Sequence, residues 1–314
     1  MRKTSFAIAS VLLALSLCPA SYSQDAATLT ERGLALINGG QFSEAEKSLV
    51  QALALAGSEN STALYNLASV YHRQGRYPEA LRFHRLALEK IERTLGPISV
   101  DAAQSLNDIG CIFRAMGRHS QAIASLERSV EILNTSAELL PTALNNLGVA
   151  YHEAGQSAKA QIVLQRALTI AEAASDARRR EIPYIVNSLG LAYVNRKQFA
   201  DAESAFQRAA SALVATLGTR HPDYAMALQN LAALYLLQKR FREAEPLSET
   251  AISILEQTLH PEALVLAAPL RTYAEILKRL GRKTDAREVA RRANAIGPSV
   301  KSVVDVRTLR QPAK

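Results

Sequence analysis

The chain has 314 residues, of which 48% are hydrophobic, and it carries a formal net charge of +8 with no tryptophan. This length would allow one large or two ordinary compact domains. The chain has two cysteines, Cys18 and Cys111. We expect the segment that holds the first to be removed, so the sequence excludes an intramolecular disulfide in the mature protein.

The N-terminal segment, residues 1–23, has the layout of a secretory signal peptide. An uncharged run of twelve residues, Phe6 to Leu17, follows two basic residues, Arg2 and Lys3. That run is too short to span a membrane comfortably. Small residues after it predict cleavage after Ser23 or Ala20. The sequence therefore predicts an exported protein, periplasmic or secreted, with no stable membrane span once the signal is removed.

Two alternatives for the N-terminal segment remain open. In the first, the segment is not removed and anchors the protein. In the second, the protein is a lipoprotein that carries its lipid on Cys18, although Leu17 is bulkier than the small residue usual before such a cysteine. We favour removal, because the basic start, the short apolar run and the small residues together fit a cleaved signal.

The rest of the chain repeats one pattern, which predicts a helical hairpin. Residues 64–91 and 144–170 both carry an apolar comb, a glycine break and a second comb built around alanine. In the first of these copies, four residues fall at i, i+3, i+4 and i+7, which is one face of an α-helix: Leu64, Leu67, Ala68 and Tyr71. Gly75 ends that helix, and Pro78 lies in the first turn of the next. A single hairpin cannot bury both of its faces, so copies must stack.

Small residues mark seven copies of the hairpin in register. The first helix carries Gly33, Ala68, Gly110, Gly148, Gly190, Ala232 and Ala274. The second helix carries Ala45, Ala80, Ala122, Ala160, Ala202, Ala244 and Ala286, with a further series seven residues later. Small residues recur where helix axes approach closely, because larger ones would overpack the contact. We therefore expect Gly148 and Ala160 to be buried at a helix–helix crossing.

At this point the chain resembles a tetratricopeptide-repeat protein. Its 42-residue spacings and its segments NNLGVAY, NLASVYHRQGRYPEAL and LGTRHPDYAMALQNLAALY are similar to the kinesin light chain type of repeat. The resemblance implies an all-α fold, a right-handed α-solenoid of about seven stacked helix-turn-helix repeats over residues 24–296. His84 and Ser248 depart from it, because they stand where a large apolar residue is usual. No heptad-rich coiled coil precedes the repeats, so kinesin attachment is not implied.

The two ends of the repeat region lack the helical pattern. Residues 24–28 are expected to be disordered, and the first repeat is expected to begin at about Leu29. After Ile296 the pattern stops, and residues 297–314 are interpreted as a flexible C-terminal tail. The alternative is that the valines of the tail form a short strand or lie over the final repeat.

The sequence lacks the patterns that support enzyme chemistry. It contains no His-Glu-x-x-His, Gly-x-Ser-x-Gly, Gly-x-Gly-x-x-Gly or phosphate-loop motif. His72 and His152 occupy equivalent positions two repeats apart, about 20 Å at one helix spacing per layer, which is too far for a shared metal. We expect no catalytic residue, no cofactor and no metal site. The arginine runs at 178–180 and 291–292 are short and lack interleaved aromatics, so we expect no nucleic-acid partner.

The first helices are expected to line a concave groove, as in the repeats that the chain resembles. Fourteen side chains are predicted to face this groove: Tyr65, Asn66, Arg73, Asn107, Arg114, Asn145, Asn146, Asn187, Leu191, Gln229, Asn230, Leu237, Arg271 and Lys278. An amide recurs in five consecutive repeats, and an amide offers donors and an acceptor to the backbone of an extended peptide. The equivalent asparagines of related repeats look like peptide holders. The alternative is that these amides bridge neighbouring helices and stiffen the solenoid.

The polarity of the predicted groove changes along the chain. Leu236 and Leu237 follow a buried position, so at least one of them should face the groove, with Leu191 and Val194 one layer away. Exposed apolar groups in a concavity usually mark a binding site. Basic residues flank this region, which predicts a ligand with apolar side chains near its middle and acidic ones at its ends. The alternative is that the leucines only pack within the fold.

Together these observations predict an exported, non-enzymatic protein–protein interaction scaffold. Its partner would be a protein or an extended peptide held in the concave groove. The alternative is a structural assembly subunit of a larger cell-envelope complex, which would use its convex surface or its ends. The identity of the partner and the oligomeric state stay open.

Overall fold

The computed structural model describes residues 19–56, 60–136, 138–174, 176–258 and 263–297. Residues 1–18 of the predicted signal peptide, 1–23, and residues 298–314 of the predicted tail, 297–314, lie outside these residues. The described residues form fourteen α-helices and three short 3₁₀ segments, without a β-strand. The all-α prediction is therefore confirmed. The chain divides into two compact units, one ending at Thr135 and the other beginning at Ser136.

The first unit consists of three helical hairpins. Its helices are α1 (Pro19–Asn38), α2 (Phe42–Ala56), α3 (Ser61–Arg73), α4 (Tyr77–Leu95), α5 (Val100–Ala115) and α6 (His119–Ile132). Each odd-numbered helix packs against the helix after it to form a hairpin, and the hairpins stack because α2 contacts α3 and α4 contacts α5. The predicted repeat pattern is thus present in this unit three times.

The second unit consists of four hairpins. Its helices are α7 (Leu140–Glu153), α8 (Ser157–Glu172), α9 (Ile182–Asn195), α10 (Phe199–Leu217), α11 (Pro222–Leu237), α12 (Phe241–Thr258), α13 (Ala267–Arg279) and α14 (Lys283–Ile296). The first helices of successive hairpins, α7, α9, α11 and α13, also contact one another. They therefore form a continuous surface within this unit, which is where the sequence placed much of the candidate site.

The beginning of the first repeat was predicted wrongly. Residues 24–28 were expected to be disordered, but they belong to α1, which begins at Pro19. Ala26 is only 2% exposed, and the buried Thr30 hydroxyl donates a 2.8 Å hydrogen bond to the carbonyl of Ala26. The helix thus begins before the apolar comb that marked it in the sequence.

The break between the two helices of each hairpin requires a left-handed residue. Glycine takes this conformation in five hairpins, as at Gly75 with φ of 75°, since it lacks the Cβ that would clash. In the other two hairpins Lys197 and Lys239 adopt φ of 60° and 63°. Left-handed backbone is unfavourable for a residue with a Cβ, so these two lysines hold local strain in exchange for the same turn.

Within a hairpin, glycine on the first helix faces a large apolar side chain on the second. A Cβ atom on Gly148 would lie 2.4 Å from Cγ of Leu164, and one on Gly110 would lie 2.5 Å from Cγ of Leu126. Ala160 is fully buried. The predicted burial of Gly148 and Ala160 at a close helix–helix crossing is therefore confirmed.

Candidate peptide-binding surface

In the first unit, two of the predicted groove residues meet at a carboxylate that sequence reasoning missed. The hydroxyl of Tyr65 on α3 donates to Oδ2 of Asp108 on α5 at 2.5 Å, and Nδ2 of Asn107 donates to Oδ1 of Asp108 at 3.5 Å. Burial raises the pKa of Asp108, although the Tyr65 and Asn107 hydrogen bonds oppose the shift. Burial together with the charge of Asp108 also raises the pKa of the Tyr65 hydroxyl. These side chains therefore connect two layers of the stack.

The other three predicted residues of this unit differ in exposure. Asn66 is buried, with 6% exposure, and its Nδ2 lacks a partner. Arg73 is exposed and lies 5.9 Å from the ring centroid of Phe42, on α2. Arg114 is half-buried. The five predicted residues of the first unit thus range from buried to exposed.

In the second unit, one pair of predicted amides bridges neighbouring layers. Nδ2 of Asn230 donates to Oδ1 of Asn187 at 2.8 Å, across the contact between α9 and α11. Asn230 is 1% exposed and Gln229 is fully buried. This pair of amides bridges neighbouring helices, which was the alternative to peptide contact, because the bonded Asn230 lies inside the helix stack. Gln229, expected on the open face, is likewise inside it.

The amides of α7 have a different placement. Asn145 and Asn146 are both half-buried. Oδ1 of Asn145 has no hydrogen-bond partner. At the other end of α7, Nδ2 of Asn195 on α9 lies 3.1 Å from Nδ1 of His152, so the imidazole accepts this bond at Nδ1. Cross-layer pairing is thus a recurring use of polar residues on the first helices.

Most of the predicted apolar patch is part of the core. Val194, Ala233 and Leu236 are at most 5% exposed and belong to one buried cluster with Ile276 on α13. Leu191 and Leu237 pack against that cluster and are only partly buried. Leu236 is thus a packing residue, because the neighbouring first helix covers it. Of the predicted patch, Leu191 and Leu237 are the residues that remain partly exposed.

The last repeat uses Arg271 within the fold. Nη2 of Arg271 donates to the carbonyl of Gly297 and, at 3.5 Å, to the carbonyl of Ala293. A guanidinium at these carbonyls completes hydrogen bonds that the end of α14 would otherwise leave unmade. Lys278, by contrast, is exposed, with its Nζ 3.8 Å from Glu275. Of the two predicted residues, Lys278 has the more open side chain.

A second group that sequence reasoning missed joins successive hairpins through Glu203, Tyr235 and Arg240. Oε1 of Glu203 accepts from the Tyr235 hydroxyl at 2.7 Å, and Oε2 accepts from Nη1 of Arg240 at 2.7 Å. The Arg240 guanidinium lies 3.8 Å from the Tyr235 ring centroid. The hydrogen bond from Arg240 lowers the pKa of Glu203. The sequence contained a sign of this group, because in three repeats a glutamate directly follows the alanine that recurs near the start of the second helix: Glu46, Glu203 and Glu245.

The described residues contain no arrangement suited to metal chemistry. No group of three or more histidine, cysteine, aspartate or glutamate side chains among them could hold a metal ion. Over the same part of the chain, no helix has both the length and the apolar character needed to cross a membrane.

Comparison with known proteins identifies the repeat. A tetratricopeptide-repeat model matches residues 59–135 and 182–257, and a second tetratricopeptide-repeat model matches residues 141–173. The chain belongs to the tetratricopeptide-repeat family, whose members are generally scaffolds for protein–protein interaction. A search of curated protein sequences found no match.

Solved structures support the same fold. The apo form of RapI has a TM-score of 0.70 at 14% identity, with 87% of this chain and 97% of that chain covered. A tetratricopeptide repeat protein from Parabacteroides merdae has a TM-score of 0.62 at 18% identity, covering 91% and 98%. Kinesin light chain TPR-like repeats from Podosopora anserina have a TM-score of 0.50 at 22% identity, covering 63% and 96%. At these identities the similarity shows the fold alone.

Proposed function

We propose that the protein is an exported, non-catalytic adaptor that holds an extended segment of another protein against α7, α9, α11 and α13. Membership of the tetratricopeptide-repeat family supports the binding of a protein or peptide. The composition of residues 1–23 supports export. The absence of catalytic motifs from the sequence supports the non-catalytic role.

The observation that carries the proposal is an unpaired hydrogen-bonding atom on a half-buried side chain of these first helices. Oδ1 of Asn145 has no hydrogen-bond partner, and Asn145 is half-buried. Buried polar atoms are normally paired, so this oxygen requires an explanation. An extended peptide backbone offers donors and acceptors at regular intervals, so a backbone N–H of a bound segment would satisfy it.

The surface also offers a route by which a segment can reach this oxygen. Asn145, Asn187, Leu191 and Leu237 are each only partly buried. A segment that crosses α7, α9 and α11 therefore touches them without opening a hairpin. Leu191 and Leu237 would contact one or two apolar side chains of the partner, while Lys278 favours an acidic residue beyond them.

Site-specific photo-crosslinking tests this assignment. A photoreactive amino acid at Leu237 should capture a partner in cells, whereas the same amino acid at Ile162, which is 70% exposed on the second helix α8, should not. Equal capture from both positions would contradict binding on the first helices. A mature protein that self-assembles in light scattering and captures no other protein would instead favour a structural assembly subunit.

Export has a separate test. Cell fractionation followed by N-terminal sequencing should find the native protein outside the cytoplasm, beginning at Gln24 or Ser21. An intact Met1 in the cytoplasmic fraction would contradict export without bearing on the binding surface.

A further inference from the structure

In the second unit, successive hairpins are joined by glutamates that receive arginines from the next repeat. Glu203 on α10 accepts a hydrogen bond from Nη1 of Arg240 at 2.7 Å, and Glu245 on α12 accepts one from Nη1 of Arg282 at 2.6 Å. Both glutamates directly follow the small residue that marks the start of the second helix, Ala202 or Ala244. The second helix of a repeat thus presents an acidic group to its successor at this position.

The last second helix reverses the sign of the charge at this position. Ala286 of α14 is followed by Arg287. Lys283 lies four residues before Arg287, and Arg291 lies four residues after it. Residues at i, i+4 and i+8 form a single row on a helix, with steps of about 6 Å. All three side chains are exposed. We call this row, Lys283, Arg287 and Arg291, the basic stripe.

The basic stripe is uncompensated within the part of the chain that the structure describes. None of its three side chains makes a hydrogen bond or an ion pair there, whereas the side chains of the neighbouring Arg282 and Arg292 pair with Glu245 and Glu256. Like charges at i, i+4 destabilise a helix slightly. Residues 298–314 carry four basic side chains and one acidic one, so their net charge has the same sign as the stripe.

The position of α14 in the stack determines the shape that would cover the stripe. The earlier second helices of this unit, α8, α10 and α12, are each covered by the first helix of the next repeat, α9, α11 or α13. Among the described residues no helix follows α14 to cover it in the same way. The uncovered side of α14 therefore has the shape to pack against one more helix. A further repeat of this chain would place an arginine there, equivalent to Arg240 or Arg282, and the basic stripe would repel it.

We propose that the basic stripe of α14 is a docking surface for an acidic α-helix of a partner protein. A helix with carboxylates at every fourth position matches the spacing of the three cations. This surface lies on a second helix, so it is independent of the peptide segment proposed for the first helices.

The test uses the mature full-length protein and two labelled, alanine-rich helical peptides of identical composition. One peptide carries glutamate at every fourth position, and the other carries the same glutamates spread around the helix. The first should bind more tightly, and added salt should weaken its binding. The triple variant Lys283→Gln, Arg287→Gln, Arg291→Gln should bind it roughly tenfold more weakly, as the loss of three exposed ion pairs implies.

A second triple variant, Arg196→Gln, Arg220→Gln, Arg242→Gln, is the matched control. These three residues are exposed and belong to the same unit, and their substitution removes the same charge. The control should bind the peptide as the unchanged protein does, with both variants retaining their helical circular dichroism. Equal losses in the two variants, or equal binding of the two peptides, would overturn the proposal.

The other possible occupants give distinct results. Binding of phosphatidylserine vesicles or of a DNA duplex that depends on the basic stripe, without binding of the acidic peptide, would overturn the proposal in favour of that ligand. Concentration-dependent self-association in sedimentation that the stripe variant abolishes would show that a second copy of the chain occupies the surface. Either result would exclude an acidic partner helix as the occupant.

Discussion

A Cβ atom on Gly190 would lie 2.4 Å from Cε1 of Phe206, so the hydrogen of glycine is what lets α9 and α10 close over the ring. The same relation joins Gly33 with Leu49, sixteen residues later, at 2.6 Å. At these two positions the second repeat carries Ala68 with His84, and the sixth carries Ala232 with Ser248. Where alanine replaces glycine on the first helix, the second helix thus carries a residue other than a large apolar one. The two positions therefore act as one packing unit.

This packing unit predicts that the effect of Gly190→Ala on stability changes sign when Phe206 is also replaced. Gly190→Ala alone should destabilise the protein by roughly 1–3 kcal/mol, because the added methyl group overpacks the contact with Phe206. In a Phe206→Ala background the same change should be neutral or stabilising, since the methyl group then enters a cavity and alanine favours the helix. Urea unfolding measures both effects. Equal destabilisation in the two backgrounds would show that the residues are not coupled.

The left-handed lysine at the end of α11 predicts a stabilising substitution. Lys239 has φ of 63°, so Lys239→Gly should raise the free energy of unfolding by about 1 kcal/mol through relief of backbone strain. Gln238, its neighbour, has φ of −77°, where glycine relieves no strain, brings an entropic cost and removes the hydrogen bond that Oε1 of Gln238 accepts from Arg240. Gln238→Gly should therefore lower stability. Thermal unfolding of both variants measures the difference, and two losses of equal size would contradict the strain.

The amides of the first helices should separate into two functional classes. Asn187→Ala should cost roughly 1–3 kcal/mol, because it leaves the buried Nδ2 of Asn230 without an acceptor. Asn145→Ala removes an oxygen that has no partner, so it should change stability by less than about 0.5 kcal/mol and weaken partner capture. Unfolding and crosslinking are measured on both proteins. A stable Asn187→Ala protein that fails to capture its partner would reverse this division.

The buried carboxylate of Asp108 predicts an unusual pH dependence. Its pKa is raised above 3.8 mainly by burial, so the folded state binds this proton more tightly than the unfolded state does. The stability linked to Asp108 is full below pH 3.8 and is lost as the pH rises through the folded-state pKa. Asp108→Asn should therefore stabilise the protein at pH 7, relative to its effect at pH 3, in chemical denaturation.

Glu203 serves as a control, because its contribution to stability should depend on pH in the opposite direction. The hydrogen bond from Arg240 lowers its pKa below 4.5, so its contribution is present above that pH and is lost as the pH falls through the folded-state value. Glu203→Gln should therefore destabilise the protein at pH 7 and have a smaller effect at low pH. A common response of both variants to pH would show that neither local environment controls the linkage.

The helical hairpins were predictable because their determinants lie close together in the chain. The apolar comb of Leu64, Leu67 and Tyr71 and the break at Gly75 are signalled by spacings within one repeat, and the buried Ala160 is signalled by the recurrence of small residues in every repeat. Such signals reflect the 3.6-residue period of the helix and the small side chains that close packing requires. The start of α1 was missed because residues 19–28 carry no apolar comb, although they belong to that helix.

The sequence by itself determined the repeat, its register and the first-helix surface on which polar residues recur, since each follows from local periodicity. Only the tertiary structure decided which of those residues remain available. Asn187 is paired with a residue 43 positions away, Leu236 is buried beneath the next layer, and Arg271 completes the end of α14. These outcomes depend on side-chain contacts between layers, whose partners are set by how the hairpins stack and not by the spacing within any one of them.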